Sequence, residues 1–178
     1  DFREGASGDV AVPIHLATTF ARRKAGSPTA GYEYTRSLNP TRKALEEKLA
    51  ALDGAKYGLA FSSGLAAAST LIISLLKAGD HVIGFDDLYG GTIRLLSNVF
   101  VNFNITVSYV DATVPENIEK ATKPESKLIW IESPTNPLLK IADIRAIAQI
   151  AKKHGLILVV DNTFLSPSSK NHWIWEPT

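Results

Sequence analysis

Ser63-Gly64-Leu65 follows an apolar stretch and opens a helical pattern. Glycine lets a backbone approach a ligand closely, and a helix start offers free N–H groups at the positive end of its dipole. The combination suits a phosphate, although an ordinary helix-opening turn is the commoner use of these residues. Asp161 ends the apolar run Leu156-Ile157-Leu158-Val159-Val160. A carboxylate at the end of a buried strand needs a partner. Paired with a protonated ring nitrogen, it keeps a pyridinium charged and able to take up carbanion electrons. As a helix cap, or paired with a lysine, it is structural. Tyr89, in Asp87-Leu88-Tyr89-Gly90-Gly91, either lays its ring over a flat cofactor or covers the core from a loop. Arg36, close to Tyr34, offers paired donors that match phosphate geometry; the plain alternative is a solvated charge. Glu132 and Asn136 stand in a loop stiffened by Pro134 and Pro137. The amide can donate to a ring oxygen, although a rigid turn explains the same residues. His15, His81, His154 and His172 have no metal-ligand spacing and read as structural.

These residues need elements to hold them. Residues 1–35 are irregular, with scattered glycine and proline, and read as an arm. Asn39 is placed to cap a helix with Pro40 at its first position. Leu45, Leu49 and Leu52 give that helix an apolar stripe, and Gly54 ends it. Residues 57–61 read as a short buried strand and 64–78 as a helix. The pattern continues with a strand at 81–85, a helix at 91–103, a strand at 106–110 and a helix at 115–121. A strand at 128–131, a helix at 141–154 stopped by Gly155 and a strand at 156–160 complete it. Continuous apolar strands alternating with helices predict an α/β fold, a mostly parallel sheet with helices on both faces. Ligands of such sheets bind at the carboxyl ends of strands, and there the polar clusters at 62–64, 86–89, 132–136 and 161–163 fall.

Composition narrows the alternatives. The 178 residues carry a net charge of +1, with 45% hydrophobic and 21% charged residues, as in ordinary globular domains. No strong field points to nucleic acid or to an anionic membrane, and no apolar run reaches the roughly 18 residues that span a bilayer. There is no cysteine, which removes disulfides, thiolate metal sites and cysteine nucleophiles and fits a cytoplasmic protein. A nucleotide-binding domain would need a G-x-G-x-x-G fingerprint after a strand, and none is present.

Taken together and in order, the motifs resemble one family. Tyr32-Glu33-Tyr34-Thr35-Arg36-Ser37-Leu38-Asn39-Pro40-Thr41-Arg42 is similar to the Y-x-R-x-x-N-P-T segment of the Cys/Met-metabolism enzymes that use pyridoxal 5′-phosphate (PLP). Phe61-Ser62-Ser63-Gly64-Leu65-Ala66, Asp87-Leu88-Tyr89-Gly90-Gly91-Thr92, Trp130-Ile131-Glu132-Ser133-Pro134-Thr135-Asn136-Pro137 and Val159-Val160-Asp161-Asn162-Thr163-Phe164 match further family segments. The resemblance implies the large domain of PLP fold type I, the aspartate aminotransferase-like fold. It implies that Ser63, Gly64 and Leu65 cradle the PLP phosphate and that Tyr34 and Arg36 reach the phosphate of a neighbouring subunit. Tyr89 would stack on the ring and assist proton transfer. Asp161 would hold the ring nitrogen with Thr163 nearby, Asn136 would face the ring hydroxyl, and Glu132 would support the site. The implied chemistry is elimination or replacement at Cγ of an amino acid: cystathionine, an activated homoserine, cysteine or homocysteine. The implied assembly is a dimer of dimers. Tyr-Gly-Gly-Thr at 89–92 looks like cystathionine gamma-lyase or gamma-synthase; methionine gamma-lyases, the other enzyme of this kind, typically have cysteine where Gly91 stands.

The resemblance covers residues 10–167 and then stops. The expected organisation is an arm at 1–38, a partial PLP-binding domain at 39–167 and an aberrant tail at 168–178. The family continues with a Ser-Ala-Thr-Lys segment whose lysine binds the cofactor covalently, and this sequence lacks it. Lys170 lies in the tail with no strand to place it. Read two bases later, codons for the tail can spell Phe-Lys-Lys-Pro-Leu-Asp-Leu-Gly-Ala-Asp, the family continuation. A one-base deletion after Pro167 is the expected origin. The competing reading is a non-catalytic, PLP-binding or gene-decay fragment.

Overall fold

A computed structural model of the chain describes residues 9–166. These fall into two compact units divided between Ala60 and Phe61.

In the first unit the arm is more ordered than its composition suggests. Strands β1 (Arg22–Lys24) and β2 (Ser27–Pro28) form a small antiparallel hairpin, and Thr19 bridges to Tyr34. Helix α1 (Pro40–Leu52) begins as expected. The Asn39 Oδ1 accepts from the Thr41 and Arg42 N–H groups at 2.9 and 3.4 Å, satisfying two donors that a helix start leaves open. Its amide donates to the His15 carbonyl and the Thr35 hydroxyl. The Arg42 guanidinium donates to the carbonyls of Thr35, Arg36 and Ser37, holding the short segment that carries Arg36. One expectation holds here and one fails. Leu45, Leu49 and Leu52 do form one stripe, but each is exposed. Residues 57–61 form no strand, and Tyr57, Leu59 and Phe61 are exposed. An apolar run supplies side chains for a strand, but a ladder partner is needed to make one.

The second unit starts with α2 (Gly64–Leu75), shorter than the expected 64–78 because Leu76 turns extended. Its core is a four-stranded parallel sheet of β3 (His81–Phe85), β4 (Thr106–Val110), β5 (Ser126–Glu132) and β6 (Ile157–Asp161), in the order β4-β3-β5-β6. Between strands lie α3 (Gly90–Arg94), α4 (Pro115–Ala121) and α5 (Ile144–His154). After α3 the helical path widens to a π turn at Leu95–Val99 and tightens to a 3-10 turn at Phe100–Phe103. Asp143 caps α5, which begins three residues later than the expected 141, and left-handed Gly155 closes it.

The strand order fixes the layers. The β3-to-β4 connection moves one way across the sheet, while those from β4 to β5 and β5 to β6 move the other. Right-handed crossovers then place residues 86–105 on one face and α4 and α5 on the other. The packing agrees: α2 touches α3, and α4 touches α5. Central strands β3 and β5 are buried almost throughout, around Val82, Ile83, Phe85, Leu128, Ile129 and Ile131. The outer strands β4 and β6 are only partly covered, against the expectation that β6 is buried. No helix among the described residues is long and apolar enough to cross a membrane.

Candidate active site

Neighbouring strands β3 and β5 send their chains in opposite directions, which opens a crevice at their carboxyl ends. A cavity of about 370 Å³ occupies this end of the sheet. It is lined by Ser63, Gly64 and Leu65 from the start of α2, Tyr89 from the loop after β3, Glu132 and Asn136 from the end of β5, and Asp161 and Thr163 from the end of β6. Every residue of the second unit that the sequence marked for the site is therefore gathered there. Tyr34 and Arg36 belong to the first unit, where the Arg36 guanidinium lies 4.9 Å from the centre of the Tyr34 ring. Lys170 and His172 lie outside the described residues, as does the tail at 168–178.

The opening turn of α2 has the chemistry of an anion cradle. The Ser63 backbone is extended, and its Oγ accepts from the Ala66 N–H at 3.1 Å. Gly64 and Leu65 N–H groups lie in the first turn, where no intrahelical acceptor exists, and both residues face the cavity. Nothing lies within 4 Å of where a Gly64 Cβ would stand, so a ligand can meet bare backbone there.

On the other wall two carboxylates sit side by side, because the parallel register of β5 and β6 pairs Glu132 with Asp161. Asp161 is half-buried, and its Oδ1 accepts from both the N–H and the hydroxyl of Thr163, at 3.1 and 2.5 Å. Glu132 is buried, and its Oε2 accepts from the Tyr89 N–H at 2.8 Å. Burial lifts the Glu132 carboxyl above the usual range, and the charges of Asp161 and Asp87 add to this; the Tyr89 and Asn136 N–H groups pull the other way. A cation entering beside Asp161 would relieve this concentration of negative charge.

Tyr89 is half in solvent, with its ring over Gly91: a Cβ at Gly91 would stand 2.3 Å from the Tyr89 Cε1. Thr92, Ala68 and Phe164 complete the lining and were not singled out in the sequence. Thr92 was detectable, since it lies three residues after Tyr89 and so on its side of a helical turn. The loop after β5 has cis peptide bonds at Ser133-Pro134 and Asn136-Pro137. The four histidines were read as structural, and three can be located. His81 is fully buried between the Ser126 and Ser108 hydroxyls at 2.8 and 2.9 Å, His154 meets Glu119 at the end of α5, and His15 stands beside Thr41. No group of acidic and histidine side chains among the described residues could hold a metal.

The donors present fit PLP: N–H groups for a phosphate, an aromatic ring for a flat heterocycle, an amide, and a carboxylate for a protonated ring nitrogen. Comparison with known proteins points the same way. A probable cystathionine gamma-synthase of Herpetosiphon aurantiacus is 51% identical over 164 residues, covering 92% of this chain and 51% of that protein. The cystathionine gamma-lyase of Bos taurus is 56% identical over 160 residues, covering 88% of this chain and 38% of that protein. The crystal structure of metB from Corynebacterium glutamicum superposes with a TM-score of 0.91 at 48% identity, over 93% of this chain and 43% of that one. The chain thus spans about half or less of the length of these relatives. The profile of the Cys/Met metabolism PLP-dependent enzymes matches residues 2–172, and the chain belongs to that family, with the α/β architecture of PLP fold type I.

Proposed function

We propose that this chain forms the cofactor-holding part of a cytoplasmic, PLP-dependent carbon–sulfur lyase or synthase of trans-sulfuration, of the cystathionine gamma-lyase or gamma-synthase type. The observation that carries this reading is the single cavity shared by the α2 N-terminus and Asp161. The Gly64 and Leu65 N–H groups and the Ser63 hydroxyl bind the phosphate. Asp161, steadied by Thr163, holds a proton on the ring nitrogen. Tyr89 covers the ring face and excludes water, and Asn136 donates toward the ring hydroxyl. Glu132 steadies the Tyr89 backbone. Held this way, the cofactor supplies an electron sink for proton loss from an amino-acid substrate. Tyr34 and Arg36 serve the phosphate of a second copy, so the working assembly is a dimer or a dimer of dimers. A family-type Ser-x-Thr-Lys segment is not among the 178 residues. Covalent attachment and turnover of cystathionine, activated homoserine, cysteine or homocysteine are therefore proposed for the whole protein, and non-covalent binding for this chain.

Equilibrium dialysis of the purified chain against PLP and against phosphate-free pyridoxal tests the reading. PLP should bind at least roughly tenfold more tightly, since charge-assisted bonds to phosphate are lost in pyridoxal. Asp161→Ala should weaken PLP binding by a similar factor. Equal affinity for the two ligands, or an indifferent Asp161→Ala, would overturn it.

A further inference from the structure

The two loops that bring Tyr89 and Asn136 to the cavity are tied by carboxylates that reach across in opposite directions. From the β5 side, Glu132 accepts the Tyr89 N–H. From the β3 side, the Asp87 Oδ2 accepts the Thr135 hydroxyl at 2.5 Å and the Leu138 N–H at 3.1 Å. Asp87 is almost fully buried and Thr135 completely so. Thr135 is engaged on every side. Its Oγ1 also accepts the Lys140 N–H at 2.8 Å, its N–H donates to the Lys140 carbonyl, and its carbonyl accepts from Leu139. Lys140 returns to the first loop through an ion pair with Asp86 at 3.0 Å.

A buried carboxylate is costly unless its oxygens are satisfied, and a buried hydroxyl held by a charge makes one of the stronger hydrogen bonds in a protein. Such a pair holds two loops far more firmly than a solvated contact does. Asn136 follows Thr135 directly, and Tyr89 lies two residues after Asp87. We propose that Asp87 and Thr135 are positioning residues that lock the Tyr89 and Asn136 loops into one rigid frame, and so set the ring and the amide that receive the cofactor. Neither side chain lines the cavity. The proposal rests on the PLP reading of the site.

The test uses the full 178-residue chain with PLP as probe. Amide hydrogen exchange is followed at Tyr89 and Leu138 without cofactor, and affinity and induced circular dichroism per bound PLP are then measured. Thr135→Val should speed exchange at both amides at least roughly fivefold, weaken PLP binding roughly tenfold and alter the induced dichroism, as expected when a buried charged acceptor loses its donor. Thr135→Ser should restore all three. A merely structural role predicts a lower melting temperature, with dichroism per bound PLP unchanged and Tyr89 exchange rising only with global unfolding; that result overturns the proposal. If Thr135→Val does not fold, Asp87→Asn, which keeps an acceptor oxygen but removes the charge that strengthens both bonds, decides the matter: unchanged exchange at Tyr89 again overturns it. Failure of the unaltered chain to bind PLP, with the exchange coupling intact, refutes the cofactor reading instead.

Discussion

Gly91→Ala should separate the shape of the site from the stability of the fold. Gly91 is the second residue of helix α3 and is not among the glycines with positive φ, so alanine meets no left-handed strain and its helix propensity favours folding by up to about 1 kcal/mol. The new Cβ would stand 2.3 Å from the Tyr89 Cε1 and 3.0 Å from its Cδ1 and Cζ. Ordinary contact begins near 3.4 Å, so the ring edge must retreat by 3.4 − 2.3 = 1.1 Å. Tyr89 is 45% exposed and has room to swing outward, at a cost of about 0.5–1.5 kcal/mol if the side chain leaves its rotamer well. Propensity and rotamer costs nearly cancel, so the urea midpoint should move by less than about 1 kcal/mol equivalent. On the proposed reading of the site, the displaced ring can no longer lie flat against a cofactor. An aromatic contact is worth about 0.5–1.5 kcal/mol, which corresponds to roughly two- to tenfold weaker PLP binding. Equilibrium dialysis and urea unfolding of the same preparation provide both numbers. Undiminished affinity with unchanged induced dichroism would refute the reasoning, and so would a stability loss of several kcal/mol.

Two further perturbations follow from the same geometry. Burial holds the His81 imidazole below its usual pKa, with the nearby Lys123 ammonium acting in the same direction and Glu125 opposing. The unfolded chain therefore binds this proton more readily than the folded one. Stability due to neutral His81 should be complete above pH about 6.5 and be lost as pH falls through the lower folded value; urea midpoints between pH 8 and pH 5 that do not fall would contradict this. Asn39→Ala removes a helix cap and should cost about 1–2 kcal/mol by urea unfolding. Asn39→Asp, which keeps the acceptor but loses the donations to His15 and Thr35, should fall between alanine and the parent; a ranking with aspartate no better than alanine would argue against the cap.

Local chemistry made much of this fold readable. The strands at 81–85 and 106–110 and the helix at 115–121 were expected with the bounds they have, because apolar runs and the proline at position 115 mark them sharply. The rule that ligands lie beyond the carboxyl ends of parallel strands marked the end of the sheet where Ser63, Tyr89, Asn136 and Asp161 fall, but their roles were implied only by the family resemblance. What failed depended on partners that local sequence does not specify. Leu59 and Phe61 look like strand residues but have no ladder. Leu45, Leu49 and Leu52 announce an apolar face without saying what covers it. The Asp87–Thr135 bond joins residues 48 positions apart, and neither residue type distinguishes a loop lock from a turn.

The π turn between Arg94 and Phe100 stores one residue of slack just downstream of the site. Its widened hydrogen bond runs from the Phe100 N–H to the Leu95 carbonyl. Upstream, the backbone is phased to present Tyr89 and Thr92 to the cavity; downstream, it is phased to bury Phe100 under the sheet. The two phases need not agree, because the wide turn absorbs the difference. A sequence shortened by one residue within 95–99 would close the wide turn to an ordinary helical one and keep both the cavity-facing end and the anchor at Phe100. Evolutionary tinkering at one end of this segment is thereby insulated from the other.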